Sequence, residues 1–170
     1  MKDNFFNKIF LIGIFLLPSA PSISVIFLLF SGIYASFKIK NFYFKDKWNI
    51  PFFFSAILLI LSCLSNTIGF KTIYTFPYDT NLNWIGLFNW IPYFWSFWAF
   101  QYFLKENIQR KNLSLMLLFG SVPILITGIL QYFFKVYGPF TLFNGLITWY
   151  MRPIDGYNGL TSVFSNANYT

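Results

Sequence analysis

Histidine is absent from this sequence. That removes the commonest general base and the commonest metal ligand. Cysteine occurs once, as Cys63 inside an apolar run. No disulfide can form within the chain, and no Cys-x-x-Cys or other metal-ligand spacing exists. Charge is scarce as well. Only 10% of residues are charged and only five are acidic, where a soluble domain carries about 25% charged residues. Neither a metal nor a cofactor is expected from this inventory, and no residue stands out as a catalytic base.

Apolar side chains dominate instead. Over 170 residues, 56% are hydrophobic and 25% are aromatic, with 25 Phe and 6 Trp. A soluble fold of this size has too little interior to hide that surface, and the bilayer is its natural solvent. The formal charge is +7. The bases sit in short clusters between apolar runs, not on a polar face interleaved with aromatics. This is a membrane pattern, and no nucleic-acid partner is expected.

A membrane-crossing helix needs about 20 mainly apolar residues. "PFFFSAILLILSCLSNTIGF" (51–70), "WIGLFNWIPYFWSFWAFQYFL" (84–104) and "LSLMLLFGSVPILITGILQYFF" (113–134) meet this without a single charge. Near the start, "IFLIGIFLL" (9–17) is short and is followed by Pro18 and Pro21, then by "SISVIFLLFSGIYASF" (22–37). The preferred reading is a helical hairpin of two spans, 9–20 and 22–37, joined at Pro18-Ser19-Ala20-Pro21. One long kinked span is the second reading. A signal peptide is the third, but prolines flanking Ser19-Ala20 make a poor cleavage site. Pro92 and Pro123 each remove a backbone donor inside a span and are candidate kinks.

The basic residues orient these spans. Segments 1–8, 38–50 and 105–112 hold nine: Lys2, Lys8, Lys38, Lys40, Lys45, Lys47, Lys105, Arg110 and Lys111. Segments 71–83 and 135–170 hold three: Lys71, Lys135 and Arg152. The positive-inside rule then puts the N-terminus in the cytoplasm and 135–170 outside, which requires an odd number of spans. The expected fold is an all-α, polytopic transmembrane bundle over 1–134 with about five spans, followed by an exterior interfacial segment. Trp48, Trp84 and Trp149 fall at span edges, as amphipathic rings favour. Trp90, Trp95 and Trp98 lie deeper and are expected to face acyl chains or neighbouring helices. Ser62, Ser65, Asn66, Thr67, Asn89, Ser96, Gln101, Ser121, Thr127 and Gln131 are the polar content of the three clear spans. They suit helix packing at least as well as a transport pathway.

In the tail, "FNGLITWY" (143–150) spaces Phe143, Leu146, Ile147 and Tyr150 at i, i+3, i+4 and i+7. That predicts a short helix lying in the outer interface. "MRPIDGYNG" breaks regularity, and "GLTSVFSNANYT" (159–170) ends the chain. Ser165, Asn166 or Asn168 are candidate caps of a further helix. A helix start at the membrane surface also suits an anion, and Arg152 supplies a fixed charge of the right geometry for phosphate. On chemistry alone, capping by Asn and lipid anchoring by Arg152 are the simpler roles. Asp155, beside Gly156, reads as a turn former. Asn168-Tyr169-Thr170 and Asn112-Leu113-Ser114 fit the glycan-acceptor triplet, a pattern that arises often by chance.

The closing stretch resembles the short exterior motif of the O-antigen ligase family. That motif runs from an Arg through a small residue and an aromatic to Asn-Pro-Asn before a new span. Phe164, Asn166 and Asn168 match the aromatic and both asparagines. Ala167 stands in place of the usual Pro, and Gly159 near the place of the usual Arg, with Arg152 seven residues earlier. "FLLPSAPSIS" is similar to the start of these proteins. The resemblance implies a glycosyltransferase of the bacterial inner membrane in lipopolysaccharide biosynthesis. It implies transfer of a glycan from an undecaprenyl-pyrophosphate carrier to an acceptor such as lipid A-core, without a metal. It makes Arg152, Asn166 and Asn168 the candidate substrate-binding residues. Family members have about a dozen spans and carry their important Arg and His residues in a large later loop. The chain is therefore expected to be an N-terminal part, inactive alone, that stops where a sixth span should begin.

Two other classes of function compete. A transporter, of the inorganic-carbon type found among relatives of this family, is one. Coupled transporters bury ionisable groups in their spans, and the three clear spans have none. A small non-catalytic membrane protein is the other. It explains the composition but not the closing motif.

Overall fold

The computed structural model describes residues 2–39, 43–68, 80–154 and 160–164. It is mostly helical. The order is α1 (Lys2–Leu16), α2 (Pro21–Lys38), α3 (Asn49–Ile68), α4 (Thr80–Phe100) and α5 (Asn107–Phe133), then two short strands, β1 (Phe140–Leu142) and β2 (Ile147–Trp149). Single 3-10 turns occur at Tyr43–Lys45 and Gln101–Phe103.

Three helical stretches are long and apolar enough to cross a membrane: Pro21–Lys38, Asn49–Thr67 and Asn107–Phe133. Little of them is covered by protein. Only 6% of the apolar window in α3 is buried, and Phe54, Leu58, Leu118 and Leu125 are exposed. Contiguous apolar surface on this scale belongs in lipid. The chain is a membrane protein.

The first two apolar stretches form separate helices, not one kinked helix. The chain turns at 17–20, and Pro21 opens α2, where its missing N–H costs nothing. α1 begins at Lys2, well before the expected residue 9, so Lys2 and Lys8 lie on the helix. α5 likewise begins at Asn107 in place of 113 and carries Arg110 and Lys111. Hydropathy marks the apolar core of a helix, while backbone bonding carries it on through charged turns. At α5, the Gln109 side chain accepts from the Glu106 backbone N–H at 3.1 Å, which fixes the start. Arg110 donates through Nε to the Leu104 carbonyl at 2.8 Å. Both α4 and α5 continue through their prolines, Pro92 and Pro123.

The chain divides into two compact units, Met1–Tyr34 with Phe103–Thr170, and Ala35–Tyr102. In the first, α1 and α2 pack as an antiparallel pair. The Ser24 hydroxyl donates to the Gly13 carbonyl at 2.7 Å, and Phe6 stacks on Tyr34 at 3.7 Å. A Cβ on Gly13 would meet Leu28 side-chain atoms at 2.8 and 2.9 Å. α5 crosses α1 still more closely. A Cβ on Gly120 would stand 2.1 Å from the Phe15 carbonyl oxygen. Phe10 and Phe103, both buried, stack at 4.6 Å.

The second unit is held by aromatic contacts between α3 and α4. Phe52 stacks on Phe97 at 4.9 Å and on Phe94 at 5.6 Å. Buried Asn49 opens α3 and donates to the Tyr43 carbonyl at 2.8 Å. Trp95 donates to the Ser36 hydroxyl at 3.1 Å, and Trp98 packs edge-on against Tyr43. The deep tryptophans thus face neighbours, as expected of them, while Trp90 is half exposed. In the connection before α3, Asp46 accepts from the Gln101 amide and the Trp48 backbone N–H. These bonds, Gln101 first, hold its carboxyl below the usual range.

Gly120 and Gly128 lie on the same helix with opposite surroundings, since nothing lies within 4 Å of a Cβ on Gly128. Gly120→Ala should destabilise the protein by about 1–3 kcal/mol, because backbone has to move. Gly128→Ala should be neutral or stabilising, because alanine favours the helix. Thermal unfolding in detergent checks the pair, and equal midpoints for the two variants would refute the close crossing.

Candidate functional site

The candidate site lies in the first unit, where the segment after α5 folds back over helix ends. Its organiser is one face of α5. Gly120, Thr127 and Gln131 are the buried residues of that helix, and positions 120, 127 and 131 share a helical stripe. Gly120 admits α1. Thr127 and Gln131 bind the segment.

Gln131 is fully buried, and both ends of its amide are used. Nε2 donates to the Arg152 carbonyl at 2.6 Å and to the Thr161 hydroxyl at 3.0 Å. Oε1 accepts the backbone N–H groups of Thr161 at 3.2 Å and Ser162 at 2.8 Å. The Thr161 hydroxyl also accepts the Arg152 N–H at 2.9 Å. One turn back, the Thr127 and Ser162 hydroxyls bond to each other, and Ser162 donates to the Ile124 carbonyl at 2.8 Å. The Met151 N–H reaches the Ser162 carbonyl at 2.9 Å, and the Gly138 N–H reaches the Met151 carbonyl at 3.0 Å. Two separate stretches of irregular chain are thereby fixed to one helix end, with their backbone groups satisfied where they are buried.

Just before Met151, the chain forms a β-hairpin and not the expected interfacial helix at 143–150. β1 and β2 pair antiparallel, Phe140 with Trp149 and Leu142 with Ile147. Phe143, Asn144 and Gly145 take φ of 52°, 53° and 88° in the turn. Asn and Gly accept this left-handed conformation most readily. Asn-Gly between β-formers is the strongest short-range hairpin signal, and it outweighed the i, i+3, i+4, i+7 spacing of the apolar residues. The Trp149 indole N–H donates to the Ser19 carbonyl at 3.0 Å, which ties β2 to the turn between α1 and α2.

A cavity of about 280 Å³ opens between that turn and the hairpin. Ser19, Ala20, Pro21 and Ser22 line one side; Gly145 to Thr148, Tyr150, Val163 and Phe164 line the other. The Arg152 guanidinium lies over the Tyr150 ring at 5.7 Å and is exposed. Arg152 therefore has two roles. Its backbone is held by Gln131 and Thr161, while its charge stays free of the framework. Phe164, the aromatic of the closing motif, lines the cavity. Asn166 and Asn168 lie outside the described residues, as do Asp155 and Gly159. Among the described residues, no cluster of His, Cys, Asp or Glu suits a metal.

Sequence reasoning placed Thr127 and Gln131 among residues suited to packing and missed the loop they hold. It placed Ser19 only in the joint between two spans and Ser22 only at the start of the second, with no cleft beside them. No protein family, curated protein or solved structure matches the chain.

Gln131→Leu would leave the Thr161 and Ser162 N–H groups and the Arg152 carbonyl without their partner. The expected cost is about 2–5 kcal/mol. Hydrogen exchange at the Thr161 and Ser162 amides should accelerate at least about tenfold. Gln131→Glu keeps the acceptors and loses the donors, so its exchange should fall between the two. Unchanged protection in Gln131→Leu would refute the anchoring role.

Proposed function

We propose that this chain serves a membrane glycosyltransferase of the O-antigen ligase type. In this reading it crosses the bacterial inner membrane five times with its N-terminus in the cytoplasm. The segment after α5 lies on the exterior, where the polyprenyl carrier presents its glycan. One observation carries the reading. Phe164, the aromatic of the "FSNAN" motif, lines a cleft built from the α1–α2 turn and the hairpin, and the motif asparagines follow it two and four residues later in sequence. Arg152, Asn166 and Asn168 are the proposed contacts to the carrier or its sugar. No histidine is available as a base, so the proposed contribution is to hold and orient the substrate, not to perform the chemistry.

Orientation is tested with single cysteines in a Cys63→Ser background, using a membrane-impermeant maleimide on intact cells. Cysteines at Thr141 and Asn144 should react, and those at Lys8 and Asn112 should not. The reverse pattern would discard the topology.

Function is tested with the chain in nanodiscs, by retention of undecaprenyl pyrophosphate with and without its glycan. The glycan-loaded carrier should be retained several-fold better, and no transfer to lipid A-core should occur. Equal retention of both lipids would count against a ligase role and favour a transporter or a non-catalytic membrane protein.

A further inference from the structure

We infer that the cleft between the α1–α2 turn and the hairpin binds a phosphate group, carried by a membrane lipid or free in solution. Three features on the cleft converge on an anion. α2 is 18 residues long, and its first turn forms one wall through Pro21 and Ser22. The first backbone bond into that helix is from the Ser24 N–H to the Ala20 carbonyl, at 3.0 Å. The Ser22 and Ile23 N–H groups find no acceptor among the described residues, so the helix presents free donors and the positive end of its dipole there.

Ser19 is the second feature. It is only 7% exposed and lines the cleft. Its carbonyl accepts from Trp149 and its N–H donates to the Leu16 carbonyl at 3.2 Å. Its hydroxyl has no partner among the described residues. A buried hydroxyl without a partner is costly, and it is satisfied when it donates to a ligand oxygen. The Ser22 hydroxyl, exposed on the same wall, adds a second donor.

Charge is the third. No carboxylate is among the lining residues, and the Arg152 guanidinium lies over Tyr150, which lines the cleft. Arginine in that position supplies a planar, permanently charged donor set for phosphate oxygens. At about 280 Å³, the cleft stands just under the roughly 300–1,000 Å³ of small-molecule sites. Leu146, Ile147, Val163 and Phe164 form its apolar part, which suits a phosphate attached to a larger group. This assignment does not depend on the ligase reading.

The test uses the full chain in phosphatidylcholine nanodiscs. One arm titrates inorganic phosphate. The other adds phosphatidylglycerol and counts lipid retained by native mass spectrometry. Saturable one-to-one binding in the first arm identifies free phosphate. Binding only in the second identifies a lipid headgroup. Ser19→Ala should weaken whichever binding occurs by about tenfold, the worth of one hydrogen bond to a charged group. Arg152→Gln should weaken it several-fold. Should Ser19→Ala lower the unfolding midpoint, Ser22→Ala replaces it at an exposed position. Saturable binding in neither arm overturns the inference, as does wild-type affinity in a folded serine variant. Neither ligand carries a glycan, so failure here is distinct from failure of the ligase reading.

Discussion

The side-chain amide of Gln131 is the joint on which the C-terminal segment depends. An irregular chain has no ladder to satisfy its backbone groups. Each buried N–H or C=O left unpaired costs on the order of 1–3 kcal/mol. One glutamine at the end of α5 meets three such groups, from Arg152, Thr161 and Ser162. It reaches them because it lies in the last turn of the helix, where α5's own stripe of buried positions runs out onto the segment. Thr127, one turn earlier, extends the same polar edge to the Ser162 hydroxyl. With Met151 and Arg152 fixed, the hairpin that precedes them is held at its base, and Trp149 then reaches the α1–α2 turn.

The rest of the first unit follows from where small residues sit. In lipid, helices gain little from hiding apolar side chains against each other, so close backbone approach and polar contacts decide packing. Gly120 lets α5 close on the Phe15 backbone, and Gly13 lets α2 close on α1. Ser24 adds an interhelical bond to the Gly13 carbonyl. The large side chains, Phe30, Leu118 and Leu125 among them, are left on the outside, where acyl chains cover them. The second unit uses a different solution, stacked phenylalanines between α3 and α4.

The helices were legible in the sequence because bilayer thickness imposes a length on apolar runs, and the break at Pro18–Pro21 was legible because proline acts locally. Helix starts were less so. Lys2, Lys8, Arg110 and Lys111 ride on helices whose apolar cores begin later. The hairpin was misread because Phe143, Leu146, Ile147 and Tyr150 have helical spacing by coincidence, while Asn144-Gly145 carried the real local instruction. The Gln131 network was not legible at all. It joins residues about 30 positions apart, and nothing local in "ITGILQYF" distinguishes a glutamine that faces a neighbouring helix from one that anchors a loop. Arg152 was read only as a fixed charge near the motif, and its backbone role required the fold.

The same network explains how the cleft persists. Its walls belong to elements that are each pinned elsewhere. The α1–α2 turn is held by the Leu16 carbonyl, which accepts from Ser19 and Ala20. β2 is held by its pairing to β1, and residues 161–164 by Gln131 and by the Thr161–Phe164 turn. None of these restraints uses the Ser19 hydroxyl or the Arg152 guanidinium. The framework is complete without them. What folding leaves unused is therefore the hydroxyl of Ser19, a lining residue, and the guanidinium of Arg152, which lies over the lining Tyr150.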